Sequence, residues 1–156
     1  GFNHTLEGED ASAGVGCSAS INVPDVSSSA GSYQSFQWQA ADESPVLRWQ
    51  ITSDQLTWLT GRGLRGVARF HNLPPSGTRW RWKILQPDGS AVLDQSAQTL
   101  LDDASRLQIL PAFFPPVQSV PAPYQPFTLE AWLECGDSGV KQIDLDFIHL
   151  LPLEKW

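Results

Sequence analysis

At 156 residues the chain is long enough for one domain with a real core, and its 7 Trp, 7 Phe, 12 Gly and 12 Pro favour short strands over long helices. A formal charge of -7 argues against a phosphate backbone as partner, so no nucleic acid is expected. No apolar run approaches the ~18 residues of a membrane-spanning helix, no membrane partner is expected, and a Met-free chain beginning Gly-Phe fits a processed product or a piece of a larger protein.

The front segment Leu6-Glu7-Gly8-Glu9-Asp10-Ala11 reads as a first strand with Glu7 and Glu9 on one face. Small residues follow from Ala11 to Gly16, and Ser27 to Ser32 form a loop by composition. Tyr33 to Trp38 is a strand, with Phe36 and Trp38 on one face and Tyr33, Ser35 and Gln37 on the other. Leu47, Trp49 and Ile51 alternate with Arg48 and Gln50 in the next one. The cleanest amphipathic strand is Thr78 to Ile84, where Trp80, Trp82 and Ile84 alternate with Arg79, Arg81 and Lys83. Pro87-Asp88-Gly89 then turns the chain into Ala91-Val92-Leu93-Asp94 as a hairpin. By alternation Trp38, Trp49, Trp80 and Trp82 belong to the core.

From Leu110 to Pro126 six prolines interrupt an apolar run, which reads as an edge strand and crossover lying against the body, where missing amide donors do least harm. Phe127 to Cys135 alternates again, and Gly136 to Gly139 turns into the last strand, with Ile143, Leu145 and Phe147 on one face and Asp144 and Asp146 on the other. Beyond it Leu150, Leu151, Leu153 and Trp156 extend an apolar strip, which either packs on the proline-rich crossover or forms an interface. About eight short strands and no convincing helix predict an all-β jelly-roll sandwich of two antiparallel sheets, as a single domain over residues 1–156. Cys17, following the front strand, and Cys135, preceding the back strand, are either two buried thiols or one disulfide. Six of the ten basic residues, Arg62, Arg65, Arg69, Arg79, Arg81 and Lys83, fall in the middle of the chain and read as a solvated sheet face.

The Glu-x-Glu of Glu7 and Glu9 with Asp10-Ala11 behind it, and Asp146-Phe147-Ile148 at the back, resemble the terminal strands of the jelly-roll carbohydrate-binding modules with a galactose-binding-like sandwich. That resemblance implies a non-catalytic glycan-binding module of an extracellular or surface-exposed protein. It also implies a structural calcium at Glu7, Glu9 and Asp146, with Asp144 as an alternative ligand, since Ca²⁺ takes six to eight oxygens. Read from the residues alone, Glu7 and Glu9 are either a solvated strand face or a ligand pair. Such modules stack sugar rings on exposed aromatics, and the candidates are Tyr33, Trp58 and Trp132, each of which is otherwise a core residue.

No enzyme is expected. His4, His71 and His149 show no metal-motif spacing, and the chain has neither a Gly-x-Ser-x-Gly elbow nor a phosphate loop. The rival reading is a structural or assembly module of a phage tail, virion or cell-surface complex that contacts protein partners.

Overall fold

The computed structural model describes residues 5–20, 23–25, 27–28, 31–59, 61–86, 88–95, 97–114, 127–136 and 139–152. Strands dominate: β1 (Thr5–Glu7), β2 (Ser18–Ala19), β3 (Val23–Pro24), β4 (Ser32–Trp38), β5 (Ser44–Ile51), β6 (Arg62–Phe70), β7 (Arg79–Leu85), β8 (Ala91–Asp94), β9 (Thr99–Leu100), β10 (Leu107–Phe114), β11 (Phe127–Glu134) and β12 (Lys141–Pro152). A 3-10 turn (Gly8–Asp10) follows β1, and one short helix, α1 (Ser53–Leu59), joins β5 to β6.

Two antiparallel sheets form a jelly-roll β-sandwich. The seven-stranded sheet runs β10-β6-β12-β4-β2, with β3 also paired to β4. Its long strand β12 has β6 along one edge; on the other it pairs with β4 over Lys141 to Leu145 and then with β1 over Phe147 to His149. First and last strands are therefore neighbours, as the sequence predicts. The five-stranded sheet runs β5-β11-β7-β8, with β9 also on β7.

The core lies between the sheets. Phe70 of β6 meets Trp80 edge-on at 6.4 Å between centroids, Phe114 of β10 meets Trp82 at 6.5 Å, and Trp80 and Trp82 make a T-shaped pair at 5.3 Å. All four tryptophans assigned to the core by alternation are buried. Trp49 donates its indole N–H to the Glu7 carbonyl at 3.0 Å, whereas those of Trp38, Trp80 and Trp82 have no partner among the described residues. Burial still wins: roughly 150–250 Å² per ring at ~25 cal/mol per Å² contributes roughly 4–6 kcal/mol, against about 1–3 for one unmade hydrogen bond.

Several expectations are corrected. The 3-10 turn breaks the front strand after Glu7, so Glu7 and Glu9 do not share a strand face. Gly8 permits this turn because it presses against β12: a Cβ there would lie 2.0 Å from the Leu145 carbonyl oxygen. In β12 the register against β6 slips between Leu145 and Phe147, leaving Asp146 as the extra residue of a β-bulge. The bulge reverses the alternation, so Ile148 and Leu150 join Ile143 and Leu145 in the core while Phe147 moves to the outer side. Helix α1 stands where no helix was expected, and nine-residue β6, unmarked by large apolar residues at Gly66 and Ala68, is central to its sheet.

The stretch Leu110 to Phe114 does belong to an edge strand, β10; the rest of the proline-rich segment, like Leu153 and Trp156, lies outside the described residues. Cys17 and Cys135 are both free thiols: Cys135 is buried with its Sγ 3.5 Å from the Ser76 carbonyl oxygen, and partial burial pushes the Cys17 thiol up. Among the described residues no helix is long and apolar enough to cross a membrane.

Candidate functional site

Strand β11 sits between β5 and β7, and its period of two sends Phe127, Leu129, Ala131 and Leu133 into the core. Thr128, Glu130, Trp132 and Glu134 therefore stand on the outer face of the five-stranded sheet. Glu130 lies opposite Arg48 on one side and Lys83 on the other, and Trp132 lies opposite Pro45 and Arg81. This row arrangement surrounds one partly exposed aromatic ring with charged and amide side chains.

The polar groups are tied to one another. Glu130, only 3% exposed, pairs through Oε2 with Arg48 Nε at 3.0 Å and accepts the Trp132 indole N–H on Oε1 at 3.0 Å. That second bond fixes the tilt of the Trp132 ring. Arg81 grips Glu43 with a fork, Nε to Oε2 at 2.9 Å and Nη2 to Oε1 at 3.1 Å. Gln98 donates Nε2 to both Glu43 and Glu134 at 2.9 Å. Burial pushes the Glu43 carboxyl up, but hydrogen bonds from Arg81 and Gln98 and the charges of Arg81 and Lys83 outweigh it, and the net shift is downward. The Lys83 ammonium lies 4.7 Å from the centre of the Trp132 ring and the Arg81 guanidinium 5.9 Å from it.

The face continues past β5 into a polar cavity of about 370 Å³, bordered by Glu7, Asp10, Ser12, Arg48, Gln50 and Gln55 among others. Arg48 and Gln50 belong to both. The Ser12 backbone closes onto Arg48 with two hydrogen bonds, 2.9 and 2.8 Å, which holds the cavity wall to the sheet edge. A flat aromatic plate bordered by fixed donors and acceptors matches a sugar, whose ring has an apolar face and a rim of hydroxyls.

The other two aromatic candidates lie elsewhere. Tyr33 is on the outer side of β4 in the opposite sheet, and His71 stacks on its ring at 4.1 Å with 10° between planes. His71 Nδ1 in turn lies 3.0 Å from Asp25. Burial first, then the Asp144 and Asp25 charges, raise the Tyr33 phenol. Trp58 is in α1, partly buried against the core, where a loop platform was expected. Tyr33 and Trp132 face away from each other on opposite sheets, so the three do not form one site. What sequence reading missed is the partnership around Trp132: Glu43, Arg48, Arg81, Lys83 and Gln98 come from three separate stretches, and only the alternation of Arg48 in β5 and of the basic residues in β7 signalled any of it.

The acidic candidates are also placed. Glu9 accepts a hydrogen bond from Ser32 Oγ. Asp146, fully buried in the bulge, pairs through Oδ2 with Arg69 Nη1 at 2.5 Å, and its Oδ1 has no partner among the described residues. Asp144 accepts from Ser35, Asn72 and Gln142. Among the described residues no three or more His, Cys, Asp or Glu side chains are placed to hold a metal. Arg69 supplies a positive charge beside Asp146.

No family model and no curated protein matches the chain. Solved structures do. One is described for the promiscuous specificity of carbohydrate-binding modules of the β-sandwich superfamily: 14% identity and a TM-score of 0.57, over 92% of this chain and 57% of that one. The chain thus spans little more than half of that structure, and it spans 23% of an arabinose-bound GH51 α-L-arabinofuranosidase at 12% identity and TM-score 0.58. Two others are matched over most of both chains. The C-terminal family 22 carbohydrate-binding module of Clostridium thermocellum Xyn10B has 8% identity, TM-score 0.54, and coverage of 92% of this chain and 85% of that one. The CBM22-1 xylan-binding domain of Paenibacillus barcinonensis Xyn10C has 13% identity, TM-score 0.52, and coverage of 96% and 94%. The chain has the jelly-roll β-sandwich fold of carbohydrate-binding modules.

Proposed function

We propose that this domain is a non-catalytic glycan-binding module of a larger extracellular or surface-exposed protein, and that it binds polysaccharide across the outer face of the five-stranded sheet. The observation that carries the proposal is the setting of Trp132: a partly exposed indole on a central strand, its tilt set by a bond to a buried Glu130, bordered by charged and amide side chains. Stacking supplies affinity, the rim supplies orientation, and both sit on rigid strands, which keeps the entropic cost of binding low. The fold shared with modules described as binding carbohydrate supports the reading, and one of those is a xylan-binding domain. Glu43, Glu130 and Glu134 on this face each have a partner, which suits recognition better than proton transfer.

The test is a glycan array followed by calorimetric titration of the best binder. Trp132→Ala is expected to weaken binding about tenfold or more, equivalent to ~1.4 kcal/mol, with Trp132→Phe in between because it keeps a ring and loses the indole N–H. A blank array, or binding that Trp132→Ala leaves unchanged, overturns the assignment.

A second reading, an assembly module of a virion or cell-surface complex, is favoured by the opposite face. There Leu107, Ile109 and Phe113 of β10 and Leu151 of β12 are each at least half exposed, on the outer side of the two strands that flank β6 in the seven-stranded sheet. Self-association in solution distinguishes it.

A further inference from the structure

The charges on the Trp132 face are matched in number but not evenly paired. Its described carboxylates are all engaged: Glu130 by Arg48 and the Trp132 indole, Glu43 by Arg81 and Gln98, Glu134 by Gln98. Two cations of β7, Arg79 and Lys83, are left with no side-chain ion pair or hydrogen bond among the described residues. The alternation of β7 puts both on this outer face, on either side of Arg81. Among the described residues the Lys83 ammonium has the Trp132 ring as its partner, at 4.7 Å.

That position has a consequence for any ligand. A pyranose stacking on Trp132 from the side of Lys83 must push the ammonium off the ring. A neutral sugar returns nothing for the lost cation–π contact, and the displaced ammonium goes back to water. A sugar carrying a carboxylate returns an ion pair; Glu130 is already engaged, and Asp94, across from Lys83 on β8, is the protein carboxylate it must outcompete. The chain's net charge of -7 opposes an anionic polymer at long range, but that repulsion is screened beyond about 8–10 Å at moderate salt, whereas a contact pair is screened far less.

We propose that this face selects uronate-bearing polysaccharide over neutral glycan, with Lys83 as the specificity-determining residue and Arg79 as a second cation along the same strand. The inference rests on the Trp132 face being the glycan site. Its test uses matched polymers that differ only in charge: glucuronic acid-substituted xylan against the same xylan after carboxyl reduction, and polygalacturonate against its methyl ester. The wild-type chain is expected to bind the charged member of at least one pair about fivefold more tightly, the effect of a single partly exposed ion pair. Raising the salt is expected to shrink that ratio, and Lys83→Gln, checked for an unchanged thermal melt, to bring it close to one. Equal affinity within both pairs, or a ratio that Lys83→Gln preserves, overturns the selectivity and leaves the glycan site standing. Binding to none of the four, with the array also blank, overturns both.

Discussion

At the scale of single residues, close contacts decide what can be changed. Gly8 has no room for a side chain: an added Cβ would meet the Leu145 carbonyl oxygen at 2.0 Å and its carbon at 2.8 Å, backbone atoms that a rotamer change cannot move. Gly8→Ala is therefore expected to destabilise the fold by roughly 1–3 kcal/mol, the usual range for overpacking, measured as a lower urea midpoint at unchanged slope. An unaltered midpoint would mean that the turn lifts off β12 at no cost. Gly8 was legible as part of an acidic tripeptide and nothing more. Its role comes from β12, which lies more than 130 residues further along the chain.

Elements show how polar groups pin the loops that connect strands. After β3, the Asp25 carboxylate accepts hydrogen bonds from Ser27 N at 3.2 Å, Ser27 Oγ at 2.9 Å and Ser28 Oγ at 2.8 Å, and it meets His71 Nδ1 at 3.0 Å. Hydrogen bonds from Ser28 and then Ser27 dominate in lowering its carboxyl from 3.8 to about 2. A carboxyl depressed on folding adds stability above its unfolded value and loses it as pH falls through the folded one. Asp25→Ala is thus expected to be less stable than wild type by a constant margin above pH 5, with the gap narrowing below pH 4 and closing near 2. Thermal melts across that range check it, and a gap independent of pH would rule the clamp out. The same Ser-rich run reads as loop from composition, but nothing in it announces that Asp25 reaches His71, or that His71 covers Tyr33 and withdraws one ring face from any ligand.

At the scale of the whole molecule, the sandwich presents two unlike outer faces. One carries Trp132 in a polar mesh; the other exposes Leu107, Ile109 and Phe113 at 53–59% on the edge strand β10. Pro111 removes an amide donor from that edge, which disfavours strand-to-strand addition and leaves face-on packing as the route to association. The assembly reading then predicts sedimentation that shifts toward dimer as concentration rises, and an Ile109→Asp variant that stays monomeric. A monomer throughout the accessible range would remove self-association and leave a heterologous partner as that reading's only form.

Alternation alone was enough to determine the sandwich, its tryptophan core and the outward course of Glu130, Trp132 and Glu134, because a half-buried strand must separate apolar from polar at a period of two. Strand β6 escaped it, since Gly66 and Ala68 fill core-facing positions, Gly66 where Leu110 leaves no space for a side chain. So did the reversal in β12, because a bulge is a mismatch between two strands and only one of them is written in that stretch of sequence. The site followed the same division. Trp132 was visible as a candidate, but its partners Glu43, Arg48, Arg81, Lys83 and Gln98 are gathered by strand pairing and by the loops beside it, and pairing between distant segments is settled only when the core packs and sets the register.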